Sequence, residues 1–150
     1  MIENAEDADL ATRVNVLWDI EQIKQLKARY FRLTDSRDWV GVRGLFTDDC
    51  TFTSPGTVGV DGPDAFVQRV EELITPGVSV HHGHMPEITI HDSSHASGIW
   101  AMYDYLELEG RPDRAGSHGY GHYLESYRKD EGHGWRISRW ELVRIRVDQF

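Results

Sequence analysis

The sequence predicts an α+β domain in which N-terminal helices cover one face of a strongly curved antiparallel sheet shaped like a cone. Two observations carry this. Apolar residues step by three and four through the first half of the chain, then give way after Pro76-Gly77 to long aromatic and β-branched segments. Short polar turn clusters (HDSS, GRPDRAG, DEGHG) separate those segments, so consecutive strands are joined by tight connections. Helices followed by a run of strands favour a sheet with helices on one face over alternating parallel units.

In order along the chain, residues 1–12 read as a loose lead-in. From about Val14 to Thr34, Val16, Ile20, Ile23, Leu26, Tyr30 and Leu33 form one face of a long helix. Trp39 to Phe46 suits a second, weaker helix. Asp61-Gly-Pro63 has the character of a helix start, and Phe66, Val70, Leu73 and Ile74 supply its apolar stripe. Four strands are expected at Val78–Ile90, His95–Glu109, Ser117–Lys129 and Trp135–Val147. Strands this long must curl to make a compact body, and a curled sheet capped by helices encloses an interior. Nothing divides the chain, so residues 1–150 form one expected domain.

Composition excludes several functions. With 16 Lys and Arg against 25 Asp and Glu, the formal charge is −9, which repels nucleic acid and anionic membranes. No apolar run approaches the roughly 20 residues of a membrane span. The opening residues MIENAEDADLATR are acidic and unlike a secretion signal, and Cys50 is the only cysteine. A reducing, cytoplasmic location is therefore expected.

Strand periodicity exposes polar residues on apolar faces. Trp100, Met102, Asp104, Leu106 and Leu108 share one face, which leaves Asp104 as an acid in an apolar row. Such a carboxyl is either a structural salt-bridge partner or an acid–base group. On the last segment Trp140, Leu142, Arg144 and Arg146 share a face, opposite Glu141, Val143, Ile145 and Val147. Arg144 can therefore neutralise Asp104 or meet a substrate oxygen. Tyr30 lies on the buried helix stripe, where a satisfied core hydroxyl is also common. The run VHHGHMP at 80–86 holds three of the eight histidines; His82 and His84 share one face, His81 the other, and Pro86 interrupts the ladder.

Histidine is the natural general base near neutral pH, though each of these taken singly also suits a structural role. Metal is the competing reason for histidines. His82 and His84 are about 7 Å apart along a strand, but His118 and His122 are about 13 Å apart. No metal-binding motif accompanies them. The segment Gly116–Gly121 lacks dinucleotide spacing. No metal and no organic cofactor are expected.

The stretches IEQIKQLKARYFRLTD (20–35), HHGHMPEITI (81–90), GIWAMYD (98–104) and residues 135–144 resemble the SnoaL-like superfamily, closest in pattern to the bacterial bile acid 7α-dehydratases and more distantly to scytalone dehydratase and the lindane dehydrochlorinases. The resemblance spans roughly residues 15–147 and implies the α+β barrel of nuclear transport factor two. It also implies an Asp35–His81 carboxylate–histidine dyad, with Tyr30, Asp104 and Arg144 as pocket groups. A pocket tyrosine of the bile acid enzymes falls here on Ser54, with Phe52 nearby, and a second is lost in the connection 109–116. Trp100, Met102 and Trp140 complete the expected pocket.

The function so implied is a cofactor-independent lyase that eliminates water β to a carbonyl of an apolar polycyclic or aromatic substrate. The alternatives are a cyclase or isomerase using the same base, and a non-catalytic ligand-binding module. A homo-oligomer is expected, trimer first and dimer second.

Overall fold

The computed structural model describes residues 9–108 and 115–150. Asp9 starts α1 (Leu10–Asp35) by accepting a hydrogen bond from the Thr12 amide at 2.8 Å. The helix thus begins inside the segment read as a lead-in; the rest of that segment, residues 1–8, lies outside the described residues. A short α2 (Trp39–Gly44) leads directly into β1 (Phe46–Thr53), and a 3₁₀ turn at Pro55–Thr57 precedes α3 (Gly62–Ile74). Then come β2 (Ser79–Ile90), β3 (His95–Glu107), β4 (Gly116–Asp130) and β5 (Gly134–Gln149). The expected extension of the second long strand to Glu109 falls outside the described residues.

The four C-terminal strands form the expected antiparallel sheet, with α1 packed against it. The fifth strand is a departure. β1 joins the sheet edge in parallel with β5, giving the order β1-β5-β4-β3-β2, and the sheet does not close into a barrel. The polar pair Asp48-Asp49 hides this strand in the sequence. Both aspartates face solvent, where Asp48 meets Arg43 and Asp49 meets Arg128.

Curvature comes from irregularities in the ladders. Between β4 and β5 the register slips at Tyr120/Gly121 and at Ser126/Tyr127, leaving Ile145 and Ser138 as extra residues in β5. The bulge at Ile145 reverses the alternation expected for the end of the strand. Val147 turns inward, and Arg146 turns out to solvent beside Asp148. A slip between His84 and Glu87 brackets Pro86 as its missing N–H requires.

The core lies between α1 and the concave face, and it contains an ion pair. Lys27 and Glu125 are fully buried and meet at 2.5 Å. Tyr127 donates to Glu125 at 2.6 Å, and the Trp100 indole N–H donates to Tyr127 at 2.8 Å. Burial pulls the Lys27 amine down to about 8 despite the neighbouring carboxylate.

A buried pair loses far more when one partner is removed than when both are. Glu125→Gln is expected to lower unfolding free energy by about 3–5 kcal/mol in urea denaturation. The double variant Lys27→Met/Glu125→Gln is expected to recover most of that loss.

Candidate functional site

Asp35 is the last residue of α1, where a carboxylate opposes the helix dipole. Three donors offset this. The His81 ring contacts Asp35 Oδ1 through Nδ1 at 2.6 Å, the His81 backbone N–H donates to Oδ2 at 2.8 Å, and the Ser79 hydroxyl donates to Oδ1 at 2.9 Å. Burial of Asp35 favours the neutral acid, but the His81 and Ser79 hydrogen bonds outweigh it and hold the carboxyl below its ordinary value. A carboxylate only accepts, so Nδ1 carries a ring hydrogen, and in the neutral ring the lone pair is on Nε2.

The helix end itself is fixed by Arg37, which adopts φ 62°. Its amide donates to Thr34 and that of Asp38 to Leu33, a Schellman closure made without glycine. The Arg37 guanidinium donates to the carbonyls of Thr34 and Asp35, to those of Ile74 at the end of α3 and Gly77 just after it, and to the Ser79 hydroxyl at 2.6 Å. One side chain therefore ties α1, the end of α3 and the start of β2 around Asp35.

Across the sheet His81 pairs with Asp104, Asp104 with Gly119, and Gly119 with Val147. Asp104 is 2 % exposed; Oδ2 meets Arg144 Nη2 at 2.7 Å, and Oδ1 is buried with no hydrogen-bond partner. Arg144 reaches Asp104 across β4 because Gly119 has no side chain there. A Cβ on Gly119 would overlap both the guanidinium and Asp104 Oδ1.

These groups face a cavity of about 410 Å³. Tyr30, His81, Asp104, Tyr123 and Arg144 line its polar side. Leu106, Leu142 and Val147 of the sheet, Trp140, and the Phe66, Val70, Leu73 and Ile74 face of α3 make the remainder mostly apolar. Ser54 lies at the rim, where it caps the 3₁₀ turn by accepting from Gly56 at 3.2 Å. Burial pushes the Tyr30 and Tyr123 hydroxyls well above their ordinary value, and the Trp140 side chain beside Tyr30 opposes that shift.

The arrangement offers an imidazole backed by a carboxylate, two phenol donors and an Asp104–Arg144 pair beside an apolar chamber. Among the described residues no group of three His, Cys, Asp or Glu side chains could hold a metal ion.

The family model of the SnoaL-like domain matches residues 15–141. The chain belongs to this family. Solved structures share its fold. A putative scytalone dehydratase from Novosphingobium aromaticivorans aligns with a TM-score of 0.80 at 19% identity, over 92% of this chain and 91% of the other. A hexachlorocyclohexane dehydrochlorinase, LinA type 2, gives 0.80 at 16%, over 92% and 93%. A Mycobacterium tuberculosis protein of unknown function gives 0.72 at 25%, over 87% and 78%.

In this SnoaL-like domain, Tyr30, Ser54, His81, Asp104, Trp140 and Arg144 line the cavity, and Asp35 stands directly behind His81. Phe52, Trp100 and Met102 do not reach its wall. Phe52 stacks on Phe66 with ring centroids 4.0 Å apart and so seats α3. Trp100 is tied to Tyr127, and Met102 lies under the guanidinium of Arg144. Strand parity, or for Phe52 nearness to Ser54, predicts a pocket position for these residues, but parity picks the face and not the depth. His82 and His84 lie on the outer face, with His82 against Tyr103. The lost pocket tyrosine of the connection 109–116 concerns a segment largely outside the described residues.

Sequence reasoning missed Tyr123, Arg37 and Ser79. Tyr123 could have been found, because Tyr123, Glu125 and Tyr127 alternate on one face. Arg37 and Ser79 carry no pattern, since their roles come from a loop and a strand start that meet only in three dimensions.

The lowered pKa of Asp35 fixes the sign of a pH effect. The folded state prefers the charged form, so its contribution to stability is complete above the ordinary value of 3.8 and is lost as pH falls through the lowered folded-state value. In denaturant titrations, the stability gap between the parent and Asp35→Asn is expected to be widest near neutrality and to shrink in acid below 3.8. A gap that stayed constant with pH would refute this account of the carboxylate.

Proposed function

We propose that this SnoaL-like domain is a cofactor-independent lyase that removes water from the carbon β to a carbonyl of an apolar polycyclic or aromatic substrate. The observation that carries the reading is the Asp35–His81 pair, with Nε2 free, at the wall of a mostly apolar cavity.

In this mechanism His81 Nε2 takes the acidic α-proton. Asp35 holds the tautomer and stabilises the imidazolium that forms. Tyr30 donates to the oxygen that gains enolate charge. Asp104 is the group that gives a proton to the departing hydroxyl, and Arg144 at 2.7 Å tunes it and holds the carboxylate left behind. Carbonyl activation makes the α-proton removable without an electron sink. The names of two similar structures, a dehydratase and a dehydrochlorinase, both denote eliminations, which supports the reaction class.

Assembly into a homo-oligomer, trimer first, fits the outer sheet face. Val80, Ile99, Tyr120, Val143 and Ile145 are exposed there.

The test of the chemistry is a panel of β-hydroxy ketones and β-hydroxy thioesters followed by mass spectrometry, with α-proton exchange read in deuterated water. Loss of the mass of one water is expected; a product of unchanged mass would mark an isomerase or cyclase instead. His81→Ala is expected to lower exchange by about 10²–10⁴-fold or more. Asp35→Asn should also be impaired, because an amide binds imidazole without stabilising its cation, while His82→Ala should do much less. If all three variants equal the parent on every substrate, the protein is a binding module. Light scattering is expected to show a multiple of the 17.2 kDa chain, and a monomer at micromolar concentration would overturn the assembly.

A further inference from the structure

Lys27 is a charged residue with no access to the cavity, yet it touches two of the groups that line it. Its ammonium nitrogen lies 3.6 Å from the centroid of the Tyr123 ring and 4.3 Å from that of Tyr30. Phe31 supplies a third ring at 5.0 Å. Among charged side chains it meets Glu125, whose second oxygen accepts from Tyr127. The two phenol rings cross edge to face with centroids 6.1 Å apart, and both meet the cavity.

A structural role alone does not account for this. Buried ion pairs are commonly matched or exceeded in stability by apolar residues of the same size. A desolvated cation against an aromatic face does something a methionine there would not. It draws electron density from the ring and its oxygen, so the hydroxyl becomes a stronger donor to a negatively charged acceptor. Burial, with the Glu125 charge adding to it, meanwhile keeps both phenols protonated, as a donor must be.

We propose that Lys27, held by Glu125 against the faces of Tyr30 and Tyr123, makes these two phenols a paired donor site for an anionic oxygen in the cavity. Lys27 is a positioning and polarising residue that never touches the ligand. Tyr123 becomes a second donor beside Tyr30. The inference rests on reading the cavity as a site for a substrate that gains oxygen charge, and it narrows the ligand class to apolar molecules carrying an enolate- or phenolate-like oxygen.

The test uses 4-nitrophenol, whose neutral and anionic forms differ in absorbance, so the affinity of each form is read by titration across pH. The parent is expected to prefer the phenolate. In Lys27→Met/Glu125→Gln the ratio of phenolate to phenol affinity is expected to fall about tenfold or more, with phenol binding retained. Lys27→Arg should keep most of the preference. Tyr30→Phe and Tyr123→Phe should each lower the ratio in the parent, and less so in the double-variant background. No binding to the parent, an unchanged ratio in the double variant, or equal loss of both forms would overturn the proposal, the last by showing a packing role alone. The assay involves no turnover. A preserved preference with no elimination on the substrate panel would sink only the lyase reading, whereas elimination with an unchanged ratio would sink only this inference.

Discussion

The carboxylate of Asp35 at the negative end of α1 is the constraint around which the site is organised. Left alone, it would destabilise the helix end that carries it. The chain instead surrounds it with donors from β2, and anchors the whole corner through Arg37. Because the same guanidinium binds the carbonyls of Ile74 and Gly77, the end of α3 is fixed by the group that fixes the dyad. The chamber's apolar cover and its base are thus parts of one hydrogen-bonded assembly. The φ of 62° at Arg37 is a local cost, since glycine would adopt it more easily, but glycine would leave five acceptors without their donor.

The second constraint is space. Asp104 and Arg144 come from strands separated by β4, and their side chains meet only where β4 lacks them. Gly119 provides that gap, and Gly121, paired with Arg144, allows close approach of the β5 backbone. Gly83 does the same on β2, where the Phe31 ring of α1 occupies the position a side chain would take. The sheet is indented where the helix and the polar pair press against it.

Much of this was legible in the sequence because it is periodic. The long helix, the four curled strands, the acid at 104 within its apolar row and the inward direction of Arg144 follow from steps of two and of three or four. What stayed hidden breaks the period or shares it with an unexpected residue type. β1 carries two adjacent aspartates and is only an edge strand. Bulges at Ser138 and Ile145 shift the phase of β5, which moves Val147 inward. Lys27 sits on the stripe with Ile23, Tyr30 and Thr34, but a lysine among Gln, Lys and Arg neighbours reads as a solvent-facing charge until Glu125 is found opposite it.

The position of β5 has a consequence for how the molecule comes to be folded. It is the final strand of the chain, yet it lies inside the sheet between β1 and β4. Hairpins β2–β3 and β3–β4 can zip as neighbours, whereas β1 has no partner until the last strand arrives from far along the sequence. Closing so long a loop is entropically costly, and pairings of this kind slow folding. On the ribosome, β1 must wait with its edge unpaired until β5 has been made. The exposed Asp48-Asp49 pair that disguises the strand in the sequence also places charge on that waiting edge, which disfavours association with other unfinished chains.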